Sequence, residues 1–186
     1  MGSVSMGNGD IIGILDLTLL DRGASEEDLV RLCERAVAHR VAAVCVFSEH
    51  VRFVRGLLPE EVKVASVVGG FPVGWRDPTK VSKAISEAID FGADEIDCVL
   101  EPTPNGGVSS EEDLQILSAM RDACGEKTLK VIIETPLMDE HSIRATSRLA
   151  MASGADFVKT CTGKRGDCAD EDARILSMEA NRHLVT

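Results

Sequence analysis

Asp97, Lys130 and Lys159 each sit inside a short apolar, β-branched run: Glu95–Glu101, Leu129–Pro136 and Phe157–Gly163. Charge inside such a run is costly to bury unless it is paired. A lysine beside a second cation and a carboxylate is also the set of groups that carbonyl capture requires. The nucleophile is the unprotonated amine, and with an ordinary pKa of ~10.4 fewer than about one lysine in a thousand is neutral at pH 7. Burial and a neighbouring cation both disfavour the ammonium. Each unit of lowering is worth ~1.4 kcal/mol, so about three units raise the reactive fraction about a thousandfold. The carboxylate's part is to move protons.

A weak internal repeat places these residues. Gly92-Ala-Asp-Glu-Ile-Asp97 resembles Gly154-Ala-Asp-Phe-Val-Lys159, each a helix C-cap glycine, a turn, and a strand with a polar residue at the same offset. Asp97 and Lys159 then occupy equivalent positions two units apart, and alternate strands of a barrel feed the same interior layer. Strand alternation puts Lys130, Ile132 and Glu134 on one face, and Phe157, Lys159 and Cys161 on one face of the next run. With the polar members inward, three successive strands converge. The alternative is a structural ion-pair network, or lysines that snorkel outward. Charge gathered in one layer favours a site, because structural barrel layers favour Val, Ile and Leu. Glu134 stays unassigned, as a strand-end acceptor or part of the site.

The positioning elements follow from periodicity. Further apolar runs at Ile11–Thr18, Ala42–Ser48 and Lys63–Phe71 complete a set of six expected strands. Between the runs, Glu26–Arg40, Thr79–Phe91, Glu111–Cys124 and Glu140–Ser153 carry apolar residues at helical spacing, and His50–Leu58 and Glu171–Arg182 read as shorter helices. Ser25, Asp77, Ser109 and Asp139 are expected N-caps, with Pro78 at a first helical position. Strand centres recurring every ~22–35 residues are the spacing of βα units with a parallel sheet. The expected fold is α/β, one TIM (β/α)8-type barrel domain over residues 1–186 with about six βα units present.

Composition narrows the function classes. A chain of 186 residues with 44% hydrophobic residues can bury a sizeable core. Thirty-one acidic against twenty basic residues give a formal charge of −11, and no basic stripe is visible. With no Tyr and a single Trp there is no stacking platform either, so a nucleic-acid partner is not expected. A phosphate ligand must be captured locally, against the overall field. No apolar run approaches the ~20 residues of a membrane span, and the start has neither a signal-peptide nor a myristoylation pattern. A cytoplasmic protein without a membrane partner is expected.

The six cysteines, Cys33, Cys45, Cys98, Cys124, Cys161 and Cys168, form no C-x-x-C and no zinc-finger spacing. They are read as structural thiols in a reducing compartment, with a redox role as the lesser alternative. His39, His50, His141 and His183 are scattered, read as surface helix residues, so no metal and no cofactor is expected.

Six stretches carry a resemblance. They are Leu15-Asp-Leu-Thr-Leu19, Val44-Cys-Val-Phe47, Gly70-Phe-Pro-Val-Gly74, Gly92-Ala-Asp-Glu-Ile-Asp-Cys-Val99, Lys130-Val-Ile-Ile-Glu-Thr135 and Gly154-Ala-Asp-Phe-Val-Lys-Thr-Cys-Thr-Gly-Lys164. In that order the chain resembles the deoxyribose-phosphate aldolase family, class I aldolases on a TIM barrel. The resemblance implies reversible cleavage of 2-deoxy-D-ribose 5-phosphate to D-glyceraldehyde 3-phosphate and acetaldehyde through a lysine Schiff base. It implies Lys159 as the Schiff-base lysine, Asp97 as the proton shuttle, and Lys130 hydrogen-bonded to Asp97 to orient it. Thr162, Gly163 and Lys164 would hold the phosphate, and Asp16, at the end of the first strand, would lie near the sugar hydroxyls. A turn with glycine and lysine is a local anion site, though Thr-Gly-Lys alone is more often a solvated turn. Cys161 stands where the family commonly has Ser, and Trp75 and Arg76 where small polar residues are usual.

The resemblance also implies eight strands, and the region carrying strands seven and eight is expected to be absent here. With it would go a second active-site lysine that depresses the Schiff-base lysine, so poor activity is expected of this chain. Two other readings stay open: a catalytically impaired paralogue that binds a partner through an exposed sheet edge, and a related Schiff-base aldolase for another sugar phosphate. A homodimer is the expected assembly.

Overall fold

The computed structural model describes residues 11–103 and 111–180, and the backbone of 184 and 185. Strands and helices alternate in chain order. They are β1 (Asp16–Leu19), α1 (Glu26–His39), β2 (Ala43–Phe47), α2 (Ser48–Leu57), β3 (Lys63–Val68), α3 (Pro78–Asp90), β4 (Glu95–Val99), α4 (Glu111–Cys124), β5 (Thr128–Ile132), α5 (Glu140–Ala152), β6 (Phe157–Lys159), α6 (Asp170–Ala180) and β7 (Leu184–Val185). All seven strands pair in parallel in sequence order. This is a curled (β/α) barrel sheet wrapped by its own helices. The expected absence of strand seven is corrected: residues 184 and 185 pair with Phe157 and Val158 of β6.

The strands separate two cores by alternation. Val44, Val46, Val64, Val68, Ile96, Cys98, Leu129, Val131 and Val158 face the helices and join one large cluster with Leu29, Val54, Ile85, Leu117 and Leu176. Ala43, Cys45, Phe47, Ala65, Val67, Val99 and Ile132 face inward as a second, smaller cluster with Phe71. Ala43, Cys45 and Ala65 are small, which leaves room inside the curl. Helix starts follow side-chain chemistry. Ser25 and Asp28 make a reciprocal capping box on α1, and Asp77 and Asp139 accept from the backbone N–H groups of Lys80 and Ser142. Pro78 opens α3 at a position whose N–H has no helical partner. Ser109 lies outside the described residues.

The internal repeat is a fastening at the N-terminal ends of the strands. Asp94 Oδ2 accepts from Val64 N–H at 3.1 Å and from Arg55 Nη1 at 3.0 Å. Asp156 Oδ2 accepts from Leu129 N–H at 2.8 Å and from Arg121 Nη1 at 3.0 Å. Each aspartate thus ties its own strand to the start of the preceding strand and to a helix arginine.

Five of the expected strands end earlier than their apolar runs, and the first begins later. The run 11–18 is strand only from Asp16, because residues 11 and 12 are helical and Ile14 and Leu15 donate back to Ile11 and Ile12. Asp16 therefore opens β1 instead of ending it. Runs expected to 48, 71, 101, 136 and 163 stop at Phe47, Val68, Val99, Ile132 and Lys159. Gly69 and Gly70 at positive φ end β3, and Glu134 in the left-handed region followed by a 3-10 turn at Thr135–Leu137 ends β5. The apolar pattern continues past each end because these loops fold over the barrel mouth and are themselves half-buried.

Candidate active site

The inward face of β4, β5 and β6 carries the charge. Asp97 on β4 is fully buried and Lys130 on β5 is 2% exposed. Lys159 ends β6 with its side chain 21% exposed, so its amine faces the open side of the cluster. Lys159 Nζ donates to Asp97 Oδ2, which is the contact that the repeat predicts. Asp16 Oδ2 lies 3.9 Å from the same amine.

Lys130 is the floor of the cluster. Its Nζ contacts Asp16 Oδ2 at 2.5 Å and Glu95 Oε2 at 2.6 Å, and lies 3.8 Å from Asp97 Oδ1. The expected Lys130–Asp97 hydrogen bond is therefore not formed; Lys130 neutralises Asp16 and Glu95, and Asp97 is left for Lys159. Asp97 Oδ1 is buried with no hydrogen-bond partner. Glu95 was not singled out beforehand, yet its period-two spacing from Asp97 put it on the same face.

Electrostatics set the resting state of both amines. Three carboxylates (Asp16, Glu95, Asp97) surround two amines (Lys130, Lys159). Burial disfavours each ammonium, but the carboxylates outweigh it: Asp97, Asp16 and Glu95 hold Lys130 well above the ordinary lysine value. Burial likewise pulls Lys159 down and Lys130 adds to that pull, while Asp97, by charge and by hydrogen bond, raises it above the ordinary value. The resting amine is thus an ammonium paired to Asp97. For this amine to attack a carbonyl it would first have to pass its proton along the existing hydrogen bond to Asp97.

Beyond β6 the chain turns through Thr162, Gly163 and Lys164. Lys164 is exposed, and backbone donors of the turn are already engaged. Thr162 N–H donates to Glu134 Oε1 at 3.3 Å, and Lys164 N–H donates to Thr162 Oγ1 at 3.2 Å. The Lys164 ammonium is the charged group this turn presents to solvent. Glu134, which alternation left unassigned, is fully buried at φ 55° and is a fastener of this turn, with its Oε2 lacking a hydrogen-bond partner.

Sequence reasoning missed the rim. Glu101 receives both Arg165 Nη groups at 2.7 and 2.9 Å, and Gly74 N–H at 3.0 Å. One carboxylate beyond β4 thereby joins the loops after β3 and β6. Glu101 stands on the same face as Asp97 and Val99, so alternation was the available signal. Among the described residues no group of three or more His, Cys, Asp or Glu side chains is placed to hold a metal ion. The surface grooves lined by Val30, Val37 and Leu57, or by Arg40, Pro59 and Glu61, lie among the helices away from this cluster. No helix of the described residues is long and apolar enough to cross a membrane.

Comparison with known proteins agrees with this geometry. Residues 11–185 match the DeoC/LacD family aldolases. The chain is 32% identical over 176 residues to a deoxyribose-phosphate aldolase of Clostridioides difficile, covering 94% of this chain and 80% of that protein. It is 36% identical over 174 residues to a deoxyribose-phosphate aldolase of Halalkalibacterium halodurans, covering 89% and 75%. The tetrameric deoxyribose phosphate aldolase from Aeropyrum pernix superposes with a TM-score of 0.82 at 26% identity, over 95% of this chain and 76% of that one. The order of βα units, the lysine–aspartate pair inside the curl and these matches agree: the chain belongs to the DeoC/LacD family of aldolases.

Proposed function

We propose that this chain cleaves 2-deoxy-D-ribose 5-phosphate reversibly to acetaldehyde and D-glyceraldehyde 3-phosphate, with Lys159 as the Schiff-base residue. The observation that carries the reading is the Lys159–Asp97 hydrogen bond inside the barrel, where a carboxylate with one unpartnered oxygen meets the partly exposed amine. The aldolases to which the chain is similar supply the substrate.

The chemistry follows from the groups present. Asp97 takes the Lys159 proton, and the freed amine attacks the C1 aldehyde of the open-chain sugar. Asp97 returns that proton to the carbinolamine hydroxyl, which leaves as water, and the product is a protonated imine, an electron sink next to C2. Removal of the C3 hydroxyl proton by Asp97 breaks the C2–C3 bond, releasing glyceraldehyde 3-phosphate and leaving an enamine on Lys159. Protonation at C2 and hydrolysis release acetaldehyde and restore the amine. Lys130 holds Asp16 and Glu95 neutralised beneath the reacting groups, and Lys164, with the hydroxyl of Thr162 and the Gly163 turn, receives the phosphate at the mouth.

Acetaldehyde followed by borohydride tests the assignment. The expected product is a single ethyl adduct mapped to Lys159, absent in Lys159→Ala, together with formation of glyceraldehyde 3-phosphate from the deoxy sugar phosphate. An adduct that persists in Lys159→Ala would remove the basis of the proposal.

A further inference from the structure

The Glu101–Arg165 pair lies at the barrel mouth, outside the chemistry described above, and it gathers more partners than an ordinary surface ion pair. Both Arg165 Nη groups reach the Glu101 carboxylate, at 2.7 and 2.9 Å, and Gly74 N–H donates to it at 3.0 Å. The Glu101 and Arg165 side chains are only 16% and 23% exposed. A bidentate, charge-assisted pair shielded from water holds one geometry, which an exposed pair does not. The Glu101 end is itself anchored. Arg76 Nη1 donates to the Glu101 carbonyl at 2.8 Å, and Arg76 Nη2 reaches Glu112 and Asp113 at the start of α4, at 2.8 and 3.0 Å. Gly74 packs so closely on the end of β4 that an added Cβ would stand 2.4 Å from the Val99 carbonyl oxygen.

What Arg165 holds is the turn that carries Lys164. The Lys164–Arg165 dipeptide lies between Gly163 at φ 64° and Gly166 at φ 144°, conformations that glycine adopts without steric cost. A Cβ added at Gly163 would meet nothing within 4 Å, so packing does not fix that residue. The hydrogen bonds at the start of the turn are long, 3.3 Å from Thr162 N–H to Glu134 and 3.2 Å from Lys164 N–H to Thr162 Oγ1. The shorter, doubly charged Arg165–Glu101 bonds are therefore the firm tie between this turn and the loops after β3 and β4. Two adjacent cations thus divide. Arg165 is tied down, and Lys164 is exposed. Because the turn leaves the end of β6, its placement sets the distance between the Lys164 and Lys159 amines.

We propose that Arg165, held by Glu101, is a positioning residue that makes the site selective for a phosphorylated sugar, by fixing Lys164 where one ligand reaches both it and Lys159. This rests on the functional reading above and deepens it. The sugar phosphate engages Lys159 at its aldehyde end and Lys164 at its phosphate end at the same time. A turn that swings about Gly163 has to be ordered on binding, and ordering one residue's backbone shifts an equilibrium about tenfold. An unphosphorylated sugar uses only the Lys159 end and is indifferent to the turn. Charge alone gives the opposite sign for one variant. Glu101→Gln removes a negative charge beside the anion turn and loosens Arg165, so a purely electrostatic role would tighten phosphate binding. A positioning role weakens it.

Arg165→Lys is the sharper variant, because it keeps the charge and loses the planar fork that meets Glu101 with two nitrogens. The parent chain, Arg165→Lys and Glu101→Gln are assayed with 2-deoxy-D-ribose 5-phosphate and with 2-deoxy-D-ribose. Activity toward the unphosphorylated sugar reports that the barrel and Lys159 are intact in each variant. KM for the sugar phosphate is expected to rise about tenfold in both variants with kcat little changed. The kcat/KM for the unphosphorylated sugar is expected to stay at the parent value. An unchanged KM in Arg165→Lys, a lower KM in Glu101→Gln, or an equal loss with both sugars would overturn the proposal. A parent chain that cleaves neither sugar would refute the functional reading instead. Inorganic phosphate, titrated calorimetrically into the same three proteins, then decides whether Arg165 orders the turn: weaker binding in both variants is the expected result, and equal binding, or none to the parent, overturns it.

Discussion

Lys159 and Lys130 are chemically alike and are separated by their partners. Lys130 has Asp16 and Glu95 within 2.6 Å and almost no exposure, which makes it a buried counter-ion. Lys159 shares Asp97 and keeps one side open. Replacing Lys130 by Met removes the close partner of Glu95 and leaves Asp16 only the more distant Lys159, and loss of one partner of a buried ion pair typically costs ~3–5 kcal/mol. Lys130→Met is therefore expected to unfold at markedly lower urea, a midpoint close to the parent's being the contrary result. Asp97→Asn separates two effects that Asp97 now combines. Removing the charge lowers the Lys159 pKa, typically by ~1–3 units for a close opposite charge. The midpoint of borohydride trapping against pH is expected to move down while the limiting trapping rate falls, because the proton acceptor is gone. An unmoved midpoint would show that Asp97 does not hold the Lys159 proton.

At the scale of elements, strand starts and strand ends perform different tasks. The starts are fastened by Asp94 and Asp156, each holding a backbone N–H of the preceding strand and a helix arginine. Leaving the Val64 N–H unsatisfied costs about 1–3 kcal/mol, while Arg55 keeps its bonds to the carbonyls of Leu58, Pro59 and Val62. Asp94→Ala is expected to lose that much stability in urea unfolding and still trap acetaldehyde at Lys159; loss of trapping in the folded variant would contradict this division. The ends carry the chemistry and are joined loop to loop. Asp172 accepts from Thr135 Oγ1 at 2.8 Å and from Ala169 N–H at 3.1 Å, so it ties the turn after β5 to the start of α6. Regular alternation told which face a residue takes but not where a strand stops. Stopping is decided by conformations such as Glu134 at φ 55°, which no pattern of apolar residues encodes.

The whole molecule couples folding to alkaline pH through the two site lysines. Both have folded-state pKa values above the ordinary value. A raised lysine contributes stability that is fully present below its unfolded pKa of ~10.4 and is lost as pH rises through the folded value. Unfolding free energy is expected to be level in this respect up to about pH 10 and then to fall steeply, with a shallower fall in Lys130→Met. Equal slopes in the two proteins would place the alkaline transition elsewhere. The formal charge of −11 acts at the same scale: the phosphorylated ligand proposed above would meet a repulsive long-range field and depend on Lys164, since Arg165 is taken up by Glu101.

Much of this protein was legible without coordinates. The period of two in its apolar runs, the helical spacing between them and the duplicated Gly-Ala-Asp turn determined a parallel βα order and placed Asp97, Lys130 and Lys159 on the inward face. Local periodicity and capping chemistry depend on neighbours along the chain, so the sequence carries them directly. Which carboxylate each lysine takes, the direction of the Lys159 pKa, the occupation of the turn's donors by Glu134 and Thr162 and the Glu101–Arg165 tie were decided only by the tertiary fold. Those outcomes depend on distances between side chains from separate strands and loops, where a shift of an ångström or two exchanges one partner for another and reverses the balance between desolvation and charge pairing.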